Sequence, residues 1–226
     1  MNDLSLRLKT IASLVPSGTR VCDIGTDHAH LALFLKQSGI ASKVIATDLN
    51  EKPLENARKN ILNSVESDIS LRLCDGLSGV NCDEVDTIII AGMGGEVITA
   101  ILSGCDWAKS QDKTYILQPT TSPEYLREFL CKNGFSIINE TPVLENRKLY
   151  SIMVVKFTNT VEEQPEHFYY SGKIPLTDTG ILYLKKQQKR VYTCMVALEN
   201  IEAKQTDYLK NKSVYDALTK ILTENE

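Results

Sequence analysis

The sequence predicts an α/β protein with a mostly parallel sheet, followed by a C-terminal helical hairpin. Short apolar runs alternate with amphipathic segments of helical period across 19–132, which is typical of parallel strands joined by crossover helices. Two apolar runs at 135–144 and 148–157 have no helical segment between them and predict an antiparallel edge. From Asp178 onward, apolar residues recur three and four positions apart, which favours a short antiparallel coiled coil.

The first predicted element is an amphipathic helix over 4–14, which ends before the turn at 16–18. The first strand starts at Thr19 and ends at Asp23. Because strands and helices then alternate, we expect right-handed crossovers and a parallel sheet. The remaining elements of this part are, in order, helix 27–38, strand 43–47, helix 51–64, strand 69–73, strand 85–91, helix 94–103, strand 114–118 and helix 123–132.

Composition changes near the end of the second edge strand, which divides the chain into two predicted domains. Residues 1–157 form the α/β domain, and 158–226 form a helical domain that opens with a polar linker. The helical domain has one helical pattern over 178–204 and a second over 207–223. Two helices with so short a connection most simply form an antiparallel hairpin.

The overall composition is that of an ordinary globular protein, with 226 residues and 42% hydrophobic side chains. Apolar runs stay below the about 20 residues that a membrane helix needs, and charges interrupt the N-terminal leucines, unlike a signal peptide. The six cysteines include no Cys-x-x-Cys pair, so we expect free thiols, no metal site and a cytoplasmic protein. The net charge of −4 argues against broad, charge-driven nucleic-acid binding but allows a local basic patch.

The turn after the first strand carries two acids and a glycine. Asp23 ends the strand, Gly25 lets the backbone turn close to a ligand, and Asp27 precedes the next helical pattern. This is not the Gly-x-Gly-x-x-Gly fingerprint, and two carboxylates would repel a pyrophosphate. A cationic ligand fits better, such as S-adenosylmethionine (SAM) with its amino and sulfonium groups. The alternative is a glycine turn of any α/β protein with solvated acids.

The next three strands also end in polar or glycine-rich turns. Asp48 ends the second strand 23 positions after Gly25, where an acid accepts two hydrogen bonds from a ribose diol. Asp75 and Gly76 follow the third strand and are suited to an adenine amino group, and the fourth strand opens into Gly92. Because ligands bind at the carboxyl ends of parallel strands, the ordered set favours a SAM site there.

The segment after the fourth strand, Ala91 to Gly95, indicates the kind of methyl acceptor. Most enzymes that methylate exocyclic amino groups of bases carry a polar-Pro-Pro-aromatic motif at this place, and this chain does not. The glycines let the backbone approach the donor, and Met93 is placed to lie against a base. This suits a ring nitrogen, which needs positioning more than proton removal. The alternative is a loop whose glycines serve only the turn.

Candidate substrate contacts lie on other elements, each with a structural alternative. His28 lies in a polar turn and either contacts a ligand or caps the helix. Gln118 and Pro119 follow the fifth strand and, with Tyr150, either line a base pocket or only support the fold. Arg7 lies beside the apolar face of the first helix and either points into the site or remains a surface charge.

A cluster of cations lies on the long predicted helix. Its members are three to five positions apart, so they share one side of the helix. The cluster either binds a polyanion or forms a solvated helix face. It consists of Lys185, Lys186, Lys189 and Arg190.

Several motifs of the α/β domain resemble those of the bacterial TrmK family. The resemblance implies a Rossmann-like class I SAM-dependent methyltransferase domain with a C-terminal helical hairpin. It also implies methylation of N1 of adenine 22 in the D-arm of tRNA. His30 and Ala32 depart from the Tyr and Pro of the family pattern. The motifs are Asp-Ile-Gly-Thr-Asp-His-Ala at 23–29, Ala-Thr-Asp at 46–48, Asp-Gly-Leu at 75–77, Ile-Ala-Gly-Met-Gly-Gly at 90–95 and Leu-Gln-Pro at 117–119.

The resemblance assigns expected roles to individual residues. We expect a monomer with tRNA as partner, S-adenosylhomocysteine as product, and no metal or membrane. Asp27 is the candidate to stabilise the cationic product or to remove an N6 proton. The residues expected to bind SAM are Asp23, Gly25, Asp48, Leu49, Asp75, Gly76 and Gly92. Those expected to face the adenine are Asp27, His28, Met93 and Gly94. Those expected to bind tRNA are Arg7, Gly95, Gln118, Pro119, Tyr150, Lys185, Lys186, Lys189 and Arg190, with Arg147 as an addition.

Two other functions remain open from the sequence. One is a SAM-dependent methyltransferase of another RNA, a small molecule or a protein, with the hairpin as a lid or dimer contact. The other is a non-catalytic SAM-binding or RNA-binding module. Asp23, Asp48 and Asp75 argue against that module, since RNA binding alone needs no methyl-donor pocket.

Overall fold

A computed structural model describes residues 4–26, 28–64 and 68–224 of the chain. Its centre is a seven-stranded sheet of order β3-β2-β1-β4-β5-β7-β6, in which β1 to β5 are parallel and β6 and β7 are antiparallel neighbours at one edge. This is the predicted sheet, with its antiparallel C-terminal edge. The strands are β1 Thr19–Ile24, β2 Ala41–Asp48, β3 Ile69–Leu73, β4 Thr87–Gly94, β5 Thr114–Thr121, β6 Phe135–Glu145 and β7 Lys148–Phe157.

Helices cover both faces of the sheet, so the parallel strands are buried on both sides. In β4, Ile88 and Ile90 pack into one apolar cluster, whereas Ile89 packs into the other. This explains why the strands read as continuous apolar runs rather than as alternating patterns. The helices are α1 Leu6–Ser13, α2 His30–Gln37, α3 Glu51–Leu62, α4 Gly95–Ser103, α5 Pro123–Lys132, α6 Glu166–Ser171, α7 Asp178–Leu198 and α8 Gln205–Thr223.

Helices α7 and α8 form the predicted antiparallel hairpin. Gln188 donates to Thr219 Oγ1 at 2.8 Å, and the ring of Tyr192 lies 5.4 Å from that of Tyr215. Residues later in α7 contact residues earlier in α8, which is the order of an antiparallel pair. The hairpin has an apolar core of its own, made of Ile174, Tyr183, Leu184, Val191, Val214, Leu218 and Leu222.

A buried ion pair joins the hairpin to the sheet. Arg127 of α5 and Glu140 of β6 are both fully buried and 2.8 Å apart. Arg127 also donates to the carbonyl of Tyr169 at 2.8 Å and to the hydroxyl of Tyr183 at 3.0 Å. Burial acts to lower the pKa of Arg127, but the Glu140 carboxylate outweighs it and the net direction is upward. The guanidinium therefore remains charged, and it links α5, β6, α6 and α7.

Two predicted helix boundaries were wrong, each for a local reason. Helix α2 begins at His30 rather than at 27, because His28 and Ala29 adopt left-handed backbone conformations. The long helix ends at Leu198 rather than at 204, where a short 3₁₀ turn starts the return. One helix was not predicted: α6 follows the polar linker and is too short to show a clear period.

Helices long and apolar enough to cross a membrane are absent from the described part of the chain.

Candidate active site

A cleft of about 390 Å³ lies at the carboxyl ends of the parallel strands. The turns after β1, β2 and β3 form one wall, and β4 with α4 forms the other. Most of the residues that were predicted to bind a methyl donor therefore meet here, although they come from four separate strands. The predicted residues that line the cleft are Gly25, Asp48, Leu49, Asp75, Gly76 and Met93.

Two glycines shape the cleft. Gly25 has a φ of 76°, and a Cβ at this position would collide with Cε of Met93. The amides of Gly25 and Thr26 both donate to the carbonyl of Thr47, at 2.8 and 2.9 Å, which fixes the turn against β2. Gly76 has a φ of 52°, and a Cβ there would lie 2.9 Å from Ile101. The positive φ at both positions favours glycine, and both residues line the cleft.

Asp48 and Leu49 form the rim of the cleft beyond β2. Asp48 Oδ1 accepts the amide of Asn50 at 2.8 Å, which orients the carboxylate. A carboxylate has about four lone-pair sites, so Asp48 can accept further hydrogen bonds from a ligand. The side chain of Leu49 is 64% exposed beside it, an unusual position for a large apolar residue. The pair offers a polar contact next to an apolar surface.

Asp23 lies beneath the turn and does not line the cleft. Its side chain is buried, and Oδ2 accepts a hydrogen bond from the Thr26 hydroxyl at 3.0 Å. Burial raises the pKa of Asp23 to about 6, while the hydrogen bond from Thr26 acts to lower it. The structure therefore places a poorly solvated carboxyl group directly under the bend at Gly25.

Gln118 connects three elements beside the cleft. It is fully buried at the end of β5, and its Oε1 accepts from the Gly92 amide at 3.2 Å and from Arg7 Nη1 at 2.5 Å. Arg7 is also held by Glu145, which accepts its backbone amide at 2.8 Å, and it lies 5.8 Å from the ring centroid of Tyr150. Arg7 thus points toward the strand ends and is not a free surface charge, which was one of the two interpretations left open by the sequence. Gln118 holds the guanidinium in this direction.

The glycine segment is part of a strand rather than a loop. Strand β4 continues through it with an irregular register, in which Met93 is opposite Pro119. Gly92 has a φ of 83°, which makes the bulge, and Thr120 donates to the carbonyl of Met93 at 3.0 Å. Gly95 is buried at the start of α4, where a Cβ would collide with the Ser122 carbonyl. Packing therefore explains the glycine at 95.

The two histidines lie side by side at the turn before α2. Their rings are 5.6 Å apart and stacked, because the left-handed turn brings His28 next to His30. Asn60 of α3 donates to the carbonyl of His28 at 2.9 Å and supports this turn. Asp27 lies outside the described residues. Sequence reasoning missed Asn60, since nothing in a helical pattern marks a residue that binds a distant backbone carbonyl.

The four cations of α7 do not form one open face. Lys185, Lys186 and Lys189 are exposed, and Arg190 is half-buried. Lys186 Nζ donates to the carbonyl of Leu149 at 3.1 Å, and both its burial and the nearby Arg190 lower the pKa of Lys186. Arg190 pairs with Glu124 at 2.7 Å. Two of the four cations are therefore turned toward the sheet domain.

Comparisons with known proteins identify the family of the chain. Residues 4–153 match the family described as a methyltransferase domain. The tRNA (adenine(22)-N(1))-methyltransferase of Bacillus subtilis is 36% identical over 159 residues, which cover 69% of this chain and 67% of that protein.

Two solved structures extend the likeness to almost the whole chain. The crystal structure of the Bacillus subtilis tRNA methyltransferase TrmK has a TM-score of 0.87 at 25% identity, covering 98% of this chain and all of that one. The structure of TrmK from M. capricolum, in complex with S-adenosylhomocysteine, has a TM-score of 0.79 at 26% identity, covering 97% and 98%. The chain therefore belongs to the TrmK family of methyltransferases.

Proposed function

We propose that this protein transfers a methyl group from SAM to N1 of adenine 22 in tRNA and releases S-adenosylhomocysteine. One observation carries the proposal. The turns after β1, β2 and β3 surround a cleft whose far wall includes Met93 of β4, and the exposed bulge at Gly92, directly before Met93, leaves backbone where a planar base can enter. The family membership of the chain supports the same reaction.

The residues of the cleft fit a methyl donor with a nucleoside group. Gly25 and Gly76 line the cleft without side chains of their own, and Asp48 has lone pairs for the two hydroxyls of a ribose. Leu49 and Ile101 supply apolar surface for the flat faces of an adenine, and Asp75 is an acceptor for its amino group. Bound SAM supplies an electrophilic methyl group on a sulfonium.

The chain must mainly position the acceptor. The N1 lone pair lies in the plane of the adenine ring, so no proton has to leave before attack, and orientation provides much of the acceleration. The Gly92 bulge and Met93 are the surfaces that we propose to hold the ring edge. The methylated ring carries a positive charge, so a nearby carboxylate would stabilise it, and Asp27 stays our candidate for that role.

Arg7 is proposed to bind a phosphate rather than the base. A guanidinium next to a ring that becomes cationic would oppose the reaction, whereas phosphate matches its forked donors. Gln118 and Glu145 hold Arg7 in a fixed direction, so little conformational entropy is lost on binding. The exposed Lys185 and Lys189 of α7 would contact more distant phosphates.

We propose a functional division of the chain at about residue 157. Residues 1–157 bind the donor and the target base, and 158–226 bind the body of the tRNA. The buried Arg127, which pairs with Glu140 and donates to the Tyr169 carbonyl and the Tyr183 hydroxyl, links the two parts, so the hairpin can hold the RNA at a fixed distance from the cleft. All six cysteines are free, which fits the reducing cytoplasm that we propose as its location, where it acts as a monomer.

The direct test is to incubate the purified protein with SAM and an unmodified tRNA that has adenine at position 22, and then to map the product by mass spectrometry. We expect a single added methyl group, on N1 of that adenine. A matched tRNA with guanine at position 22 should remain unmethylated. Methylation of both tRNAs, or of neither, would contradict the proposed function.

A further inference from the structure

A second cavity, of about 260 Å³, lies between the sheet domain and α7. Its walls come from the end of β5 and the start of α5, from the start of β7 and from one side of α7. Its volume corresponds to roughly nine water molecules at about 30 Å³ each, which is below the range of drug-sized pockets. It is large enough for a single nucleobase.

The polar groups of this cavity are incompletely satisfied. Gln187 is only 3% exposed, and its Oε1 has no hydrogen-bond partner within the described parts of the chain. A buried acceptor without a donor costs free energy, so a ligand that supplies an N–H group would be favoured. Lys186 and Arg190 lie beside it. Lys186 donates to the carbonyl of Leu149 and Arg190 pairs with Glu124, and each has further N–H groups to offer an anion.

An aromatic wall adjoins these groups. Tyr150 lines the cavity, and the same ring lies 5.8 Å from the guanidinium of Arg7, which bonds Gln118 beside the donor cleft. A tyrosine ring offers a face on which a base of any sequence can stack. The cavity thus combines a stacking surface, an acceptor for an N–H group and two cations for a phosphate.

We propose that this cavity binds a nucleotide of the RNA that directly adjoins the methylated adenine. Its base would stack on Tyr150 and donate an N–H to Gln187, and its phosphate would meet Lys186 and Arg190. The inference rests on the proposed function, because the RNA must first deliver its target base to the neighbouring cleft.

The position of the cavity fits a neighbour in the chain of nucleotides. Pro119 lines the cavity, whereas Met93, its register partner on β4, lines the donor cleft. Adjacent strands are about 4.8 Å apart, so the two sites are separated by little more than one strand. When the target base leaves its stack, an adjoining base loses a stacking partner, and the cavity offers it a replacement.

The experiment combines a protein change with RNA changes. Gln187→Leu removes the buried acceptor with little change in volume, and Gln188→Leu on the same helix is the control, since Gln188 bonds Thr219 across the hairpin and does not line the cavity. Each protein is assayed on unmodified tRNA and on two tRNAs in which one flanking nucleotide of the target is abasic. Calorimetry of SAM binding verifies that each variant is folded.

We expect Gln187→Leu to raise KM for tRNA about tenfold, because the N–H of the base loses its buried acceptor, with SAM affinity unchanged. One abasic tRNA should raise KM of the wild-type enzyme by at least as much. Its effect on the variant should be smaller than its effect on the wild type, because the hydrogen bond to Gln187 is already lost and only the stacking on Tyr150 remains to be removed. Gln188→Leu should behave like the wild type.

A Gln187→Leu variant with the KM of the wild type would overturn the inference. So would effects on KM that are additive between Gln187→Leu and both abasic tRNAs. In either case, methylation of tRNA by the wild-type enzyme would still uphold the proposed function. A wild-type enzyme that methylates no tRNA would overturn both.

Discussion

The substitution Glu140→Gln tests whether a buried charge holds the hairpin on the sheet. The Glu140 carboxylate accepts from the Arg127 guanidinium, from Ser151 Oγ at 2.5 Å and from the amide of Lys173 at 2.9 Å. Glutamine keeps the shape but removes the charge, and its NH₂ group would face one of these donors. The Arg127 charge then remains buried without a counter-charge.

Breaking a buried ion pair from one side costs about 3–5 kcal/mol. For a chain of this size, about 1 kcal/mol lowers Tm by roughly 2–4 °C, so the variant should melt roughly 6–20 °C below the wild type. Denaturant and thermal unfolding measure the change. The matched control is Glu128→Gln, since Glu128 pairs with Lys132 at 2.6 Å on the surface of the same helix α5. That pair should contribute less than about 1 kcal/mol.

An unfolding free energy of Glu140→Gln within about 0.5 kcal/mol of the wild type would refute this reasoning. It would mean that water or a shifted side chain reaches Arg127, and that the hairpin is held by its apolar core alone. A large loss with Glu128→Gln would instead show that the surface charges of α5 matter more than the buried pair.

Three further predictions concern the cleft. Gly25→Ala should weaken SAM binding at least tenfold, as measured by calorimetry, because the Cβ of the alanine displaces Met93 and the positive φ at this position strains an alanine. A SAM affinity equal to that of the wild type would contradict the proposed packing. Gln118→Leu should raise KM for tRNA and leave SAM affinity unchanged, since it releases Arg7; a change in SAM affinity alone would oppose that role. Asp23→Asn should raise the unfolding free energy by about 1–3 kcal/mol above pH 6 and leave it unchanged below pH 4. The folded state raises the pKa of Asp23 to about 6, so the stabilisation that its proton provides is lost as pH rises, and asparagine avoids that loss. Denaturant titrations that show a constant difference across this pH range would refute the prediction.

The sequence was most informative about the sheet. Short apolar runs ending in acids or glycines predicted β1 to β5 and the edge of the cleft, because parallel strands bury both faces and end at one side of the sheet. The fold class and the TrmK resemblance are both confirmed. The site at Gly25, Asp48 and Asp75 followed from the order of strands, a property that a sequence displays directly.

Contacts between distant segments could not be predicted in the same way. Arg7 and Gln118 are 111 positions apart, and a buried glutamine has no periodic signal that names its partner. Likewise, Arg127 and Glu140 look like surface charges on a helix and a strand until the hairpin covers them. The sequence predicted that the four cations of α7 share one side of the helix, but tertiary packing turns Arg190 toward the sheet domain, where it pairs with Glu124.

The central claim is that the acid at the end of β2 and its neighbours hold the methyl donor. Calorimetric titration of SAM into the wild-type protein and into Asp48→Ala tests it directly, with Asp68→Ala as a control because Asp68 is an exposed partner of Lys36. We expect saturable binding to the wild type and to the control, and at least about tenfold weaker binding to Asp48→Ala, since two hydrogen bonds to a charged acceptor are lost. Equal affinity in all three proteins, or no binding to the folded wild type, would contradict the account.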